Sequence, residues 1–69
     1  MFNQNKLKAQ MALKNISARE LAKRMEINES TLYRKIQNDG NFTRSEINLM
    51  ISILDIKDPA DIFFAEELA

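Results

Sequence analysis

Glu29, Ser30, Tyr33, Arg34 and Gln37 recur at spacings of three and four, so a helix from Glu29 to about Gln37 would carry all five on its outer face. Leu32 and Ile36, one turn apart, would be its buried pair. The outer set combines a guanidinium, an aromatic ring, a hydroxyl and an amide, with no large aliphatic side chain and no matched ladder of opposite charges. Presented to the major groove of duplex DNA, Arg34 could make bidentate hydrogen bonds to a base edge. Ser30 and Thr31 could make shorter ones, and Tyr33 apolar or stacking contacts.

Catalytic chemistry has little to work with. The chain has no cysteine and no histidine, which removes the thiolate nucleophile, the usual general base and the commonest metal ligands. It has no glycine-rich phosphate loop and no acidic cluster at metal-ligand spacing. Asp58 and Asp61 are read as a helix cap and an acid favoured by the helix dipole. The expectation is a protein that is not an enzyme and holds no cofactor or metal.

The elements that would position the outer face follow from caps and periodicity. Leu7 and Met11, with Leu13 and Ile16, predict a first helix over about Gln4 to Lys14. "SARE" at 17–20 is a capping box opening a second helix that turns Leu21, Ala22 and Met25 inward. Asn28 caps the third, and Ala22 is small enough for two helices to cross at the short turn, with Ile27 also inward. "NDGN" at 38–41 is turn chemistry with Gly40 free to take positive φ, and "TRSE" at 43–46 is a second capping box. The fourth helix carries an apolar stripe of Ile47, Met50, Ile51 and Leu54. Asp58 before Pro59 starts a last short helix or turn over "ADIFFAEEL". The fold class is all-α, a compact bundle of four to five short helices in a single domain over 1–69, with a helix-turn-helix over about 17–37.

Composition sets the limits. Sixty-nine residues make one small domain near the lower limit for folding unaided, and no disulfide is available to staple it. No apolar run reaches a membrane span and no cleavable leader is read, so a reducing, cytoplasmic setting is expected. The formal net charge is zero but polarised. Residues 1–37 hold eight basic and three acidic side chains, net +5, while residues 38–69 hold two basic and seven acidic, net −5. Such a field can turn one face toward phosphates. The basic first helix is read as a solvated face rather than a base reader, with Lys6 or Lys8 able to steer. Adjacent Phe63 and Phe64 predict that one closes the core.

The stretch Ile16 to Ile56, "ISARELAKRMEINESTLYRKIQNDGNFTRSEINLMISILDI", resembles the phage repressor and Cro-like helix-turn-helix (XRE) family. The "S-x-x-E-L-A" opening, the "I-N-x-S-T-L-Y-R-K-I" helix and the "F-T-x-S-E-I" start recur there in this order. With the first helix ahead of it, the resemblance covers most of the chain. It implies a lambda repressor-like DNA-binding domain acting as a sequence-specific transcriptional regulator in a bacterial host cell, associated with the nucleoid. Its partner would be double-stranded DNA at a pseudo-palindromic operator.

Carried over by position, the resemblance implies that Glu29, Ser30, Tyr33 and Arg34 face bases. Phosphates would be held by Ser17, Asn28 and Thr31, and near the end of the third helix by Lys35, Asn38, Asn41 and Thr43. The family often places glutamine where this chain has Ala18, and Arg19 is the residue to take over its phosphate contact. Glu29 either accepts from a cytosine amino group or only favours the helix N-terminus. Glu26 stands at a turn position that often holds glycine, at a cost of roughly 1 kcal/mol if φ is positive. A homodimer through Ile62, Phe63 and Phe64 is the expected assembly. The alternative function is a protein-interaction module, antirepressor- or antitoxin-like, that binds another regulator.

Overall fold

A computed structural model of the chain describes residues 2–64. Among them are five helices: α1 (Gln4–Leu13), α2 (Ala18–Arg24), α3 (Glu29–Gln37), α4 (Arg44–Leu54) and α5 (Pro59–Phe63). The part of "ADIFFAEEL" beyond Phe64 lies outside the described residues. Leu7, Leu21, Leu32, Met50 and Leu54 are fully buried, so each of the first four helices gives the core at least one wholly enclosed aliphatic side chain. Ala22 is buried where α2 packs on α3, and Ile27, Ile47 and Ile51 close the margins of the core. Leu13 departs from the expected stripe. It is 74% exposed, because at 100° per residue it lies about 120° from Leu7 and 160° from Met11, on the side of α1 away from the core; α1 ends there, one residue short of Lys14.

The N-terminal caps divide into closed and open ones. At α4 the box is complete: the Thr43 hydroxyl accepts from the Glu46 N–H at 3.1 Å, and the Glu46 carboxylate accepts from the Thr43 N–H at 2.8 Å. At α2 only half of the expected box forms. Ser17 Oγ accepts from the Glu20 N–H at 3.1 Å, but the Glu20 carboxylate turns to Arg24 Nε at 3.1 Å. Asn28 and Asp58 occupy the cap positions of α3 and α5 without a side-chain capping bond.

The C-terminal ends of α1 to α4 share one device. Asn15, Glu26, Asp39 and Asp55 all take left-handed backbone, with φ of 56°, 60°, 60° and 51°. In each case the next residue's N–H reaches back across the last turn: Ile16 to Met11 O, Ile27 to Ala22 O, Gly40 to Lys35 O and Ile56 to Ile51 O, at 2.9–3.0 Å. These are Schellman-type ends, which usually place glycine in the left-handed position. Here three isoleucines follow and fold onto the core side of the helix just ended, while the chain's single glycine follows Asp39. Glu26 is thus one of four strained stops, and the three carrying Asn or Asp cost less, because those short polar side chains enter this region more readily.

An aromatic cluster joins the segment ahead of α1 to the loop before α4 and to α5. Phe2, Phe42 and Phe63 meet with ring centroids 5.8–6.3 Å apart. The Asn3 N–H donates to Ile62 O at 2.6 Å beside it. Gly40, at φ +68°, lies against Phe2 so closely that a Cβ there would overlap the Phe2 Cβ, Cγ and Cδ1. Positive φ was legible in "NDG"; the contact with Phe2 was not.

Candidate nucleic-acid interface

At 100° per residue, Arg34 is rotated about 160° from both Leu32 and Ile36, the two side chains α3 buries. It therefore points straight out from the body of the domain. Ser30 and Gln37 flank it, and all three are exposed. Tyr33 lies on the side toward α1, 46% exposed, and lines a surface pocket with Met11 and Ile36, so its ring is half packing residue and half open surface. Thr31 and Lys35, one turn apart, lie on the opposite flank toward α4 and are half-buried. Glu29 is exposed in the first turn, where a carboxylate suits the helix dipole. Gln37 was absent from the residues expected to act, although the spacing that selects Ser30, Tyr33 and Arg34 reaches it too.

The residues expected at phosphates fall into two groups. Ser17 and Arg19 at the start of α2 and Asn28 at the start of α3 are exposed, as are Asn38, Asn41 and Thr43 between α3 and α4. The Asn28 amide makes no capping bond and remains open to a ligand. Lys35 is placed differently. Its ammonium donates to both carboxylate oxygens of Glu46, at 2.8 and 2.9 Å, in a half-buried pair that ties α3 to α4. Burial pushes the Glu46 carboxyl up, but the hydrogen bonds from Lys35 and the Thr43 N–H outweigh it, holding its pKa below the ordinary range.

Ion pairing sorts the basic residues of the N-terminal half. Lys6 pairs with Asp61, Lys14 with Asp55 at 3.2 Å, Arg24 with Glu20 and Lys35 with Glu46. Asp55 also meets Lys57 at 2.9 Å, and the hydrogen bonds from Lys57 and Lys14 hold its carboxyl below the usual range. Among the described residues, Lys8, Arg19, Lys23 and Arg34 make no ion pair. Of Lys6 and Lys8, either of which could steer, Lys6 pairs with Asp61 and Lys8 makes no ion pair among the described residues.

This arrangement is a pair of packed helices joined by a short turn, with an uncovered guanidinium near the centre of the second helix. A family model, the Cro/C1-type HTH DNA-binding domain, matches residues 6–67. The chain belongs to that family. No curated protein and no solved structure matches it. A Cro/C1-type domain is a DNA-binding, non-enzymatic kind of unit. Among the described residues no group of His, Cys, Asp or Glu could hold a metal ion, and no helix is long and apolar enough to cross a membrane.

The segment expected to join two copies divides. Ile62 and Phe63 are buried in the chain's own core, and Phe64 is 62% exposed. Phe63 is thus the phenylalanine that closes the core, and Phe64 points outward. Ile62 and Phe63, already enclosed, have little surface left for a partner.

Proposed function

We propose that this Cro/C1-type domain is a sequence-specific transcriptional regulator that lays α3 in the major groove of double-stranded DNA. The observation that carries the reading is Arg34: exposed, opposite the buried pair Leu32 and Ile36, and without an ion-pair partner among the described residues. An arginine so placed is suited to guanine O6 and N7. Ser30, Gln37 and the open half of Tyr33 read the neighbouring base edges, with Glu29 at the margin of the groove. Ser17, Arg19, Asn28, Asn38, Asn41 and Thr43 hold the flanking phosphates. Thr31 works beside them, and Lys35 positions α3 through Glu46 instead of meeting phosphate itself.

Two copies on a pseudo-palindromic operator belong to the same reading, with half-sites about one helical turn apart. Phe64 is the part of the C-terminal segment left to face a second copy. The test is selection of bound duplexes from a random pool, followed by titration of the selected site. Arg34→Ala is expected to cost about 1–3 kcal/mol in specific binding and to relax preference at one base pair. Its thermal unfolding should match that of the parent, because Arg34 supports nothing in the fold. A pool that yields no enriched sequence would sink the proposal.

A further inference from the structure

We propose that the DNA footprint extends beyond the helix-turn-helix onto α1, where Lys8 takes a phosphate of the DNA backbone. Three lysines lie on α1 within nine residues: Lys6, Lys8 and the C-cap Lys14. Two of them face α5 and the end of α4. Lys6 meets Asp61, Lys14 meets Asp55, and Gln10 between them donates its amide to Leu54 O at 2.8 Å. Residues 6, 10 and 14 form one i, i+4, i+8 stripe, and that stripe braces the domain. Lys8 is rotated about 160° from both Lys6 and Gln10, onto the opposite side of the helix, and has no ion-pair partner among the described residues.

Its surroundings indicate the ligand. Lys8 lines a surface pocket of about 320 Å3 with Gln4, Ala18, Tyr33 and Gln37, floored by Met11 and Ile36. Tyr33 and Gln37 belong to the outer face of α3, so a strand of duplex followed outward from the groove passes over this pocket. Ala18 is too small to fill it. The floor is apolar and the rim polar, which suits a deoxyribose ring, and the ammonium at the rim suits the adjoining phosphate. The surface is contiguous with the reading face and has the sign a phosphate requires, and the inference rests on the DNA-binding reading above.

The experiment compares the parent chain with Lys8→Gln, Lys8→Arg and Lys6→Gln, titrated with a duplex of arbitrary sequence and with a selected one, across salt. One phosphate contact fewer lowers the slope of log affinity against log salt by about 0.9. The affinity ratio of parent to Lys8→Gln should therefore shrink about 3.5-fold between 50 and 200 mM salt, equally on both duplexes. Lys8→Arg should keep the parental slope, and so should Lys6→Gln. A parental slope in Lys8→Gln would overturn the inference. It would leave the proposed reading standing so long as Arg34→Ala still lost selectivity. Failure of the parent chain to bind either duplex would overturn both.

Discussion

The outer face of α3 and the seam between α1 and the C-terminal helices are built from similar side chains and use them in opposite ways. In the seam, Lys6, Gln10 and Lys14 each find a carboxylate or a carbonyl, and α4 ends with its last carbonyls partly met by the Gln10 amide. On α3, Ser30, Arg34 and Gln37 project without a partner among the described hydrogen bonds and ion pairs. Exposed ion pairs such as those of the seam contribute at most about 1 kcal/mol each. An uncovered arginine contributes to stability still less. The seam is therefore accounted for by the fold, and the face of α3 is not. A substitution in one region should change unfolding, and in the other, binding.

The strongest way to break that division is at Gly40, where the end of α3 meets the aromatic cluster. Gly40→Ala adds a Cβ at positive φ and drives it into the Phe2 side chain, against its Cβ and ring. The strain of the left-handed region is about 1–2 kcal/mol, and displacing a packed ring adds to it. A loss of at least about 2 kcal/mol is expected, lowering the melting temperature by roughly 10 °C. DNA affinity measured well below that temperature should change little, since Phe2, Phe42 and Phe63 face inward. If Gly40→Ala left the melting temperature unchanged while removing DNA binding, the two regions would not be separable in the way described.

A smaller effect is expected at the Lys35–Glu46 pair. Glu46→Gln removes the ion pair while its amide oxygen can still accept from the Thr43 N–H, so a loss of about 1 kcal/mol is expected. The sign with pH follows from the lowered carboxyl of Glu46. A carboxylate held below its unfolded pKa stabilises the fold fully above the ordinary glutamate range, and this is lost as pH falls through the folded value. The gap in melting temperature between parent and Glu46→Gln should be full near about pH 6 and close at low pH. A gap that widened on acidification would show that the carboxylate is not stabilised as drawn.

Much of this was legible in the sequence, and the gaps have physical causes. Caps and apolar spacing placed all five helix starts, because those signals act within four residues. Leu32 and Ile36, and with them the outward Arg34, followed from one helical period. The fate of each lysine did not, because Lys6 meets Asp61 and Lys14 meets Asp55 across more than forty residues. Nor did the half-open box at Ser17, since Glu20 has two partners in reach, its own cap and Arg24 one turn on, and sequence does not rank them. Phe2 beside Phe42 and Phe63 is a contact of the same long-range kind.

Glu26 gives the smallest effect and the finest test. It is exposed, holds φ at 60° and follows Met25, the last residue enclosed by α2 before the chain enters α3. Glu26→Gly would relieve about 1 kcal/mol or somewhat more of left-handed strain, and would return part of it through the greater freedom of glycine in the unfolded chain. A net gain of about 0.5 kcal/mol, roughly 2–4 °C, is expected. Removing this negative charge from the turn between α2 and α3 should also strengthen binding to any duplex slightly at low salt, with the difference fading as salt screens it. The thermal gain, arising from backbone, should not fade with salt. If both effects vanished together at high salt, the carboxylate and not the backbone would be the source of the strain at this turn. Glu26 would then belong with the electrostatics of the outer face and not with the four helix stops.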